Sequence, residues 1–170
     1  MKCCVYTRAF LETPYLNFFI EHYYNLGFDK IIILKADDLE YNLPVEYINF
    51  VEIHQVINIG NDLLPKYDYL VNDYDWIISI DVDEILLLNK QYKNIKDFIE
   101  TKINNDSNTN MFYFRWGIIE KYDIDDNNNF FDVVNNYNIF NNYHIKSLFR
   151  AVRILNADLC DKKNLLCLAH

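Results

Sequence analysis

A chain of 170 residues, 51% of them apolar, is long enough for one compact core and too short for two ordinary domains, so a single domain spanning 1–170 is expected. The formal charge of −9 sets the surface against nucleic acid and anionic membranes, so any phosphate ligand needs a bound cation or a few well-placed bases. With only three glycines the chain contains neither a G-x-G-x-x-G turn nor a P-loop, which excludes a glycine-rich phosphate cradle.

The chain opens on a strand-like run, Lys2-Cys3-Cys4-Val5-Tyr6. Thr13 is then placed to cap a helix with Pro14 at its first position, and Leu16, Phe19, Ile20, Tyr23 and Tyr24 recur at helical spacing until Gly27 stops it. Lys30-Ile31-Ile32-Ile33-Leu34 is the short continuous apolar run of a central parallel strand. A third strand is predicted over 48–53, a short helix over 62–71, and a fourth, strongly apolar strand over 76–80 that ends at Asp81. Asn94 caps a further helix carrying Ile95, Phe98, Ile99 and Ile103. Met111 to Trp116 reads as an aromatic strand, 123–129 as a polar Asn/Asp-rich loop, and 145–150 and 152–155 as the last strands. Strands alternating with helices in this way predict an α/β fold with a mostly parallel sheet and flanking helices.

Adjacent Cys3 and Cys4 point to opposite sides of a strand and cannot serve one site; with Cys160 and Cys167 they read as buried or free thiols rather than as a zinc site. The N-terminal run lacks the regions of a signal peptide, and no apolar stretch approaches the ~18 residues of a membrane span, so a soluble, cytoplasmic protein is expected.

The chemistry is concentrated in Asp81-Val82-Asp83-Glu84. Carboxylates at i and i+2 can turn toward one hard cation, with Glu84 in support, and leave coordination positions open for substrate oxygens such as those of a diphosphate. The spacing alone is weak, since Asp123-Ile124-Asp125 repeats it in the polar loop. Position separates the two, because Asp81 follows five apolar strand residues at the edge where open α/β sheets place ligands, and acids gathered there are costly without a cation.

Arg8 and Glu12, the phrase Phe19-Ile20-Glu21-His22-Tyr23-Tyr24-Asn25-Leu26-Gly27-Phe28-Asp29, Asp37-Asp38, Asp75-Trp76 leading into Asp81-Val82-Asp83-Glu84, and Lys146-Ser147-Leu148-Phe149-Arg150 together resemble the GT-A-fold glycosyltransferases of the family 2 and family 92 type. The resemblance implies a Rossmann-like GT-A nucleotide-sugar domain, short at its C-terminus. It also implies a metal-dependent, inverting transfer of sugar from a nucleoside diphosphate donor, a UDP-sugar, to a hydroxyl acceptor. In that scheme Asp81 and Asp83, with His170 or His144 as a downstream histidine and His170 preferred, hold Mn²⁺ or Mg²⁺. Thr7, Arg8 and one of Asp37 or Asp38 contact the nucleoside and its phosphates, and Lys146 and Arg150 neutralise the leaving diphosphate. Glu84, Glu120 and Asp123 stand as candidates for the general base. A noncatalytic nucleotide-sugar or glycan-binding module of the same fold is the second reading.

Overall fold

The computed structural model describes residues 1–57, 68–119 and 139–151. Among them six strands form one sheet: β1 (Cys3–Ala9), β2 (Lys30–Lys35), β3 (Val51–Gln55), β4 (Trp76–Ser79), β5 (Met111–Ile119) and β6 (Ile139–Arg150), in the order β3-β2-β1-β4-β6-β5. The first four run parallel, with Cys4 opposite Lys30 and Cys3 opposite Trp76, while β6 lies antiparallel to both β4 and β5. Three helices accompany them, α1 (Leu16–Asn25), α2 (Asp68–Asp73) and α3 (Ile95–Asn105).

Both sheet faces are covered, which is why the parallel strands carry apolar residues without alternation. Cys3, Val5, Ile31, Ile33 and Ile78 face α1 and α3 and pack with Leu16, Phe19, Ile20, Tyr23, Ile95 and Ile99. Their sequence neighbours Cys4, Ile32, Leu34 and Ile77 face the other way, onto Leu70 of α2 and Ala151. Cys3 and Cys4 thus lie in different cores, as the strand period requires, and neither is in a disulfide.

Gly27 stops α1 in the left-handed conformation, φ +86°, and a Cβ there would stand 3.0 Å from Cβ of Asn94. Asn94 in turn caps α3 by accepting the N–H of Asp97 at 2.9 Å, and Ile95 N–H donates to Leu26 C=O, so the end of α1 and the start of α3 are one joint.

Several expectations are corrected. Thr13 does not cap a helix: it begins a 3₁₀ turn, Thr13–Tyr15, and its buried Oγ1 finds no hydrogen-bond partner. The third strand starts at Val51 instead of Ile48, because Pro44 leads into a second 3₁₀ turn, Val45–Tyr47, whose carbonyls take the N–H groups of Ile48 and Phe50. Of the short helix expected over 62–71 the described part is Asp68–Asp73, two residues longer at its end, and 58–67, 123–129 and 152–155 lie outside the described residues. The aromatic strand runs on to Ile119 through an irregularity between Arg115 and Gly117, and its partner begins at Ile139.

Candidate functional site

The carboxyl ends of the parallel strands converge on one edge, where Arg8 and Glu12 follow from β1, Asp37 from β2 and Asp81 from β4. The antiparallel β6 returns to this edge from the far side of β4: Leu148 is opposite Ile78, and Lys146, two residues earlier, reaches Asp81.

Asp81 to Glu84 form a turn closed from both sides. Glu84 N–H donates to Asp81 C=O and Asp81 N–H donates to Glu84 Oε2, each at 3.0 Å, so one backbone and one side-chain bond close the turn. Val82 anchors the turn in the core, so Asp83 points out to solvent. Lys146 Nζ lies 2.8 Å from Asp81 Oδ2 and 3.1 Å from Glu84 Oε2, with only 8% of its side chain exposed, while Arg8 approaches Asp81 Oδ1 at 3.8 Å. Burial raises the Glu84 carboxyl above its ordinary value, and Asp81 adds to this, against the opposing pull of the Asp81 N–H and Lys146. Glu12 is raised as well, by burial first and then by the charges of Asp83 and Asp81, which places a fourth carboxyl beside the motif.

Helix α1 braces this turn from behind. Tyr23 is fully buried and its hydroxyl donates to Glu84 C=O at 3.3 Å and accepts Leu86 N–H at 3.1 Å, while His22 Nε2 donates to Leu86 C=O at 2.9 Å. These contacts give His22 and Tyr23 a place at the site that the apolar helical stripe did not disclose, although both stand in the phrase from Phe19 to Asp29 on which the resemblance rests.

The other expected site residues divide. Thr7 is buried within β1 and its hydroxyl turns to Arg8 C=O, so it does not present itself to the edge. Asp37 is internal: it accepts Leu11 N–H at 2.6 Å, Leu39 N–H at 2.9 Å and the Lys35 ammonium at 2.5 Å, and Lys35 and Gln55 both donate to its carbonyl. Burial works to raise its carboxyl, but these donors outweigh it and hold the group below its ordinary value. Its oxygens are committed to fixing the loop after β1, where Leu11 takes a left-handed φ of 63° that a branched side chain rarely adopts. Asp38, beside it, is exposed.

Arg150 is a correction. It shares a face with Lys146 but lies opposite Trp76 at the start of β4, over whose ring it stands at 5.8 Å. Four residues of strand separate the two cations by about 14 Å, which takes Arg150 to the opposite edge of the sheet. His144 is exposed on β6, and Glu120, Asp123 and His170 lie outside the described residues.

Among the described residues no group of three or more His, Cys, Asp or Glu side chains is gathered as a metal cage. The donor set suits a cation that keeps waters and substrate oxygens in its shell: Asp83 is open to solvent and, among the described residues, Asp81 Oδ1 meets Arg8 at the longer distance of 3.8 Å. Among the described residues, Arg8 and Lys146 are the cations paired with Asp81, and Lys146 also meets Glu84.

A mixed α/β sheet whose parallel half presents acids and bases at its carboxyl edge has a Rossmann-like architecture, in which that edge is where ligands are placed. The profile of glycosyltransferase family 92 matches residues 67–160, more than half of the sequence. The chain belongs to glycosyltransferase family 92, and glycosyl transfer is its activity class. A solved CMP:2-keto-3-deoxy-manno-octonic acid synthetase, complexed with CTP, is similar over 92% of this chain and 77% of its own at 12% identity and a TM-score of 0.42. No curated protein is detectably similar in sequence. No helix among the described residues is long and apolar enough to cross a membrane.

Proposed function

We propose that the chain transfers a sugar from a nucleoside diphosphate donor, a UDP-sugar, to a hydroxyl acceptor with inversion, and that Asp81 and Asp83 hold Mn²⁺ or Mg²⁺ for that purpose. The observation that carries the reading is the place of Asp81, at the carboxyl edge between the cations Lys146 and Arg8 with Asp83 exposed beside it. When bound, the divalent ion supplies electrostatic stabilisation of the departing diphosphate. Arg8 offers a planar guanidinium to a phosphate and Lys146 a point charge. Glu84 is occupied with Asp81 N–H and Lys146, which suits it to orienting Asp81 and makes it a poor general base. The base then comes from elsewhere, with Glu120 and Asp123 as the remaining candidates.

Calorimetric titration of UDP with and without Mn²⁺ tests the reading. Metal-dependent UDP binding that falls at least tenfold in Asp83→Ala supports it; no binding, or binding indifferent to metal and to this substitution, removes it. Binding without transfer or donor hydrolysis would leave a nucleotide-sugar-binding module of the same fold.

A further inference from the structure

We propose that Lys146 is a built-in rival of the divalent ion at Asp81, so that metal and nucleoside diphosphate bind well only together. The inference rests on the function proposed above and adds a binding logic to it. Lys146 Nζ is inside the turn, 2.8 Å from Asp81 Oδ2 and 3.1 Å from Glu84 Oε2, and is almost wholly covered. Its strand fixes its origin: β6 is paired with β4 on one side and β5 on the other, so the ammonium moves only as far as its own side chain swings.

A dication that takes the other oxygen of the same carboxylate must therefore sit within about 6–7 Å of this ammonium, and like charges at that range still repel in a partly covered site. Glu84 does not relieve the repulsion, since its Oε2 is already shared between Lys146 and Asp81 N–H. An entering diphosphate does relieve it. Its oxygens accept from the ammonium and ligate the metal at once, which turns the Lys146 charge from an obstacle into a contact. Arg8, farther from Asp81 at 3.8 Å and more exposed, contributes less to the rivalry. Each ligand thus raises the affinity of the other by the same factor.

The test is a set of calorimetric titrations of Mn²⁺, with and without saturating UDP, on the wild type, Lys146→Met and Lys146→Arg. The wild type binds Mn²⁺ at least about tenfold tighter with UDP present. In Lys146→Met, Mn²⁺ alone binds about tenfold tighter than to the wild type and the gain from UDP shrinks to a few-fold, while Lys146→Arg, which keeps the charge, keeps the coupling. Mn²⁺ binding to Lys146→Met that is equal or weaker without UDP overturns the proposal. So does independent binding of Mn²⁺ and UDP to the wild type, a measurement that needs no variant and leaves the assigned function standing. Failure of the wild type to bind either ligand removes both.

Discussion

The hydroxyl of Tyr23 receives the backbone N–H of Leu86 at 3.1 Å, across 63 residues of sequence, and so ties the core-facing side of α1 to the chain just behind Asp81. Tyr23→Phe keeps the ring tilted against Phe19 and edge-on to Phe28 but leaves a buried N–H without its acceptor. The expected cost is about 1–3 kcal/mol, read as a lowered midpoint in thermal or urea unfolding. A weaker UDP titration in the same variant would show that the turn carrying Asp81 has loosened.

Asp37 makes an acid-side prediction. Its carboxyl is held below the ordinary value of 3.8, so its contribution is complete above that pH and disappears as the pH falls through the lower folded value. Asp37→Asn should destabilise the protein by about 1.5–3 kcal/mol at neutral pH. The difference from the wild type should narrow below pH 3.8, where the wild-type group itself takes up a proton. Urea midpoints across pH 2.5–7 for the two proteins decide it; a constant gap would show that the charge is not what matters.

The strands and the carboxyl edge were legible in the sequence because burial on both faces writes itself as uninterrupted apolar runs such as Ile31–Leu34 and Trp76–Ile80, and an acid just past such a run stands out. Asp37 was not, since an aspartate after a strand reads the same whether it faces a ligand or the N–H of Leu11, 26 residues away in sequence. Arg150 was misplaced because the two-residue period tells which face a side chain shares with Lys146 and says nothing of which end of the sheet it occupies. Tyr23 hid in the helical stripe, where its ring accounted for its position and its hydroxyl went unasked.

Gly27→Ala and Asn94→Ala test the joint between α1 and α3. Alanine at Gly27 meets a left-handed φ of 86° and Asn94 Cβ at 3.0 Å, and should cost about 2 kcal/mol. Removing the Asn94 cap costs about 1 kcal/mol. Alanine at 94 keeps the Cβ that crowds position 27 and leaves the φ of 86° unchanged, so the double variant should lose close to the sum, which a double-mutant cycle on unfolding free energies measures.

Arg150→Gln should leave UDP and Mn²⁺ affinities within about twofold of wild type, since its guanidinium lies over Trp76 at the other edge of the sheet. A stability loss of about 0.5–1 kcal/mol from the missing ring contact is the only effect expected. A large loss of nucleotide affinity would return Arg150 to the donor site.

The adjacent thiols Cys3 and Cys4 point into opposite cores, and burial pushes both up, Cys3 to about 12. Neither reacts readily while its own side of the sheet stays shut. Cys3 therefore becomes accessible when α1 and α3 lift away, and Cys4 when α2 does. With the other cysteines replaced, a thiol-labelling time course on each single-thiol protein would clock the opening of the two layers separately, from reporters one peptide bond apart.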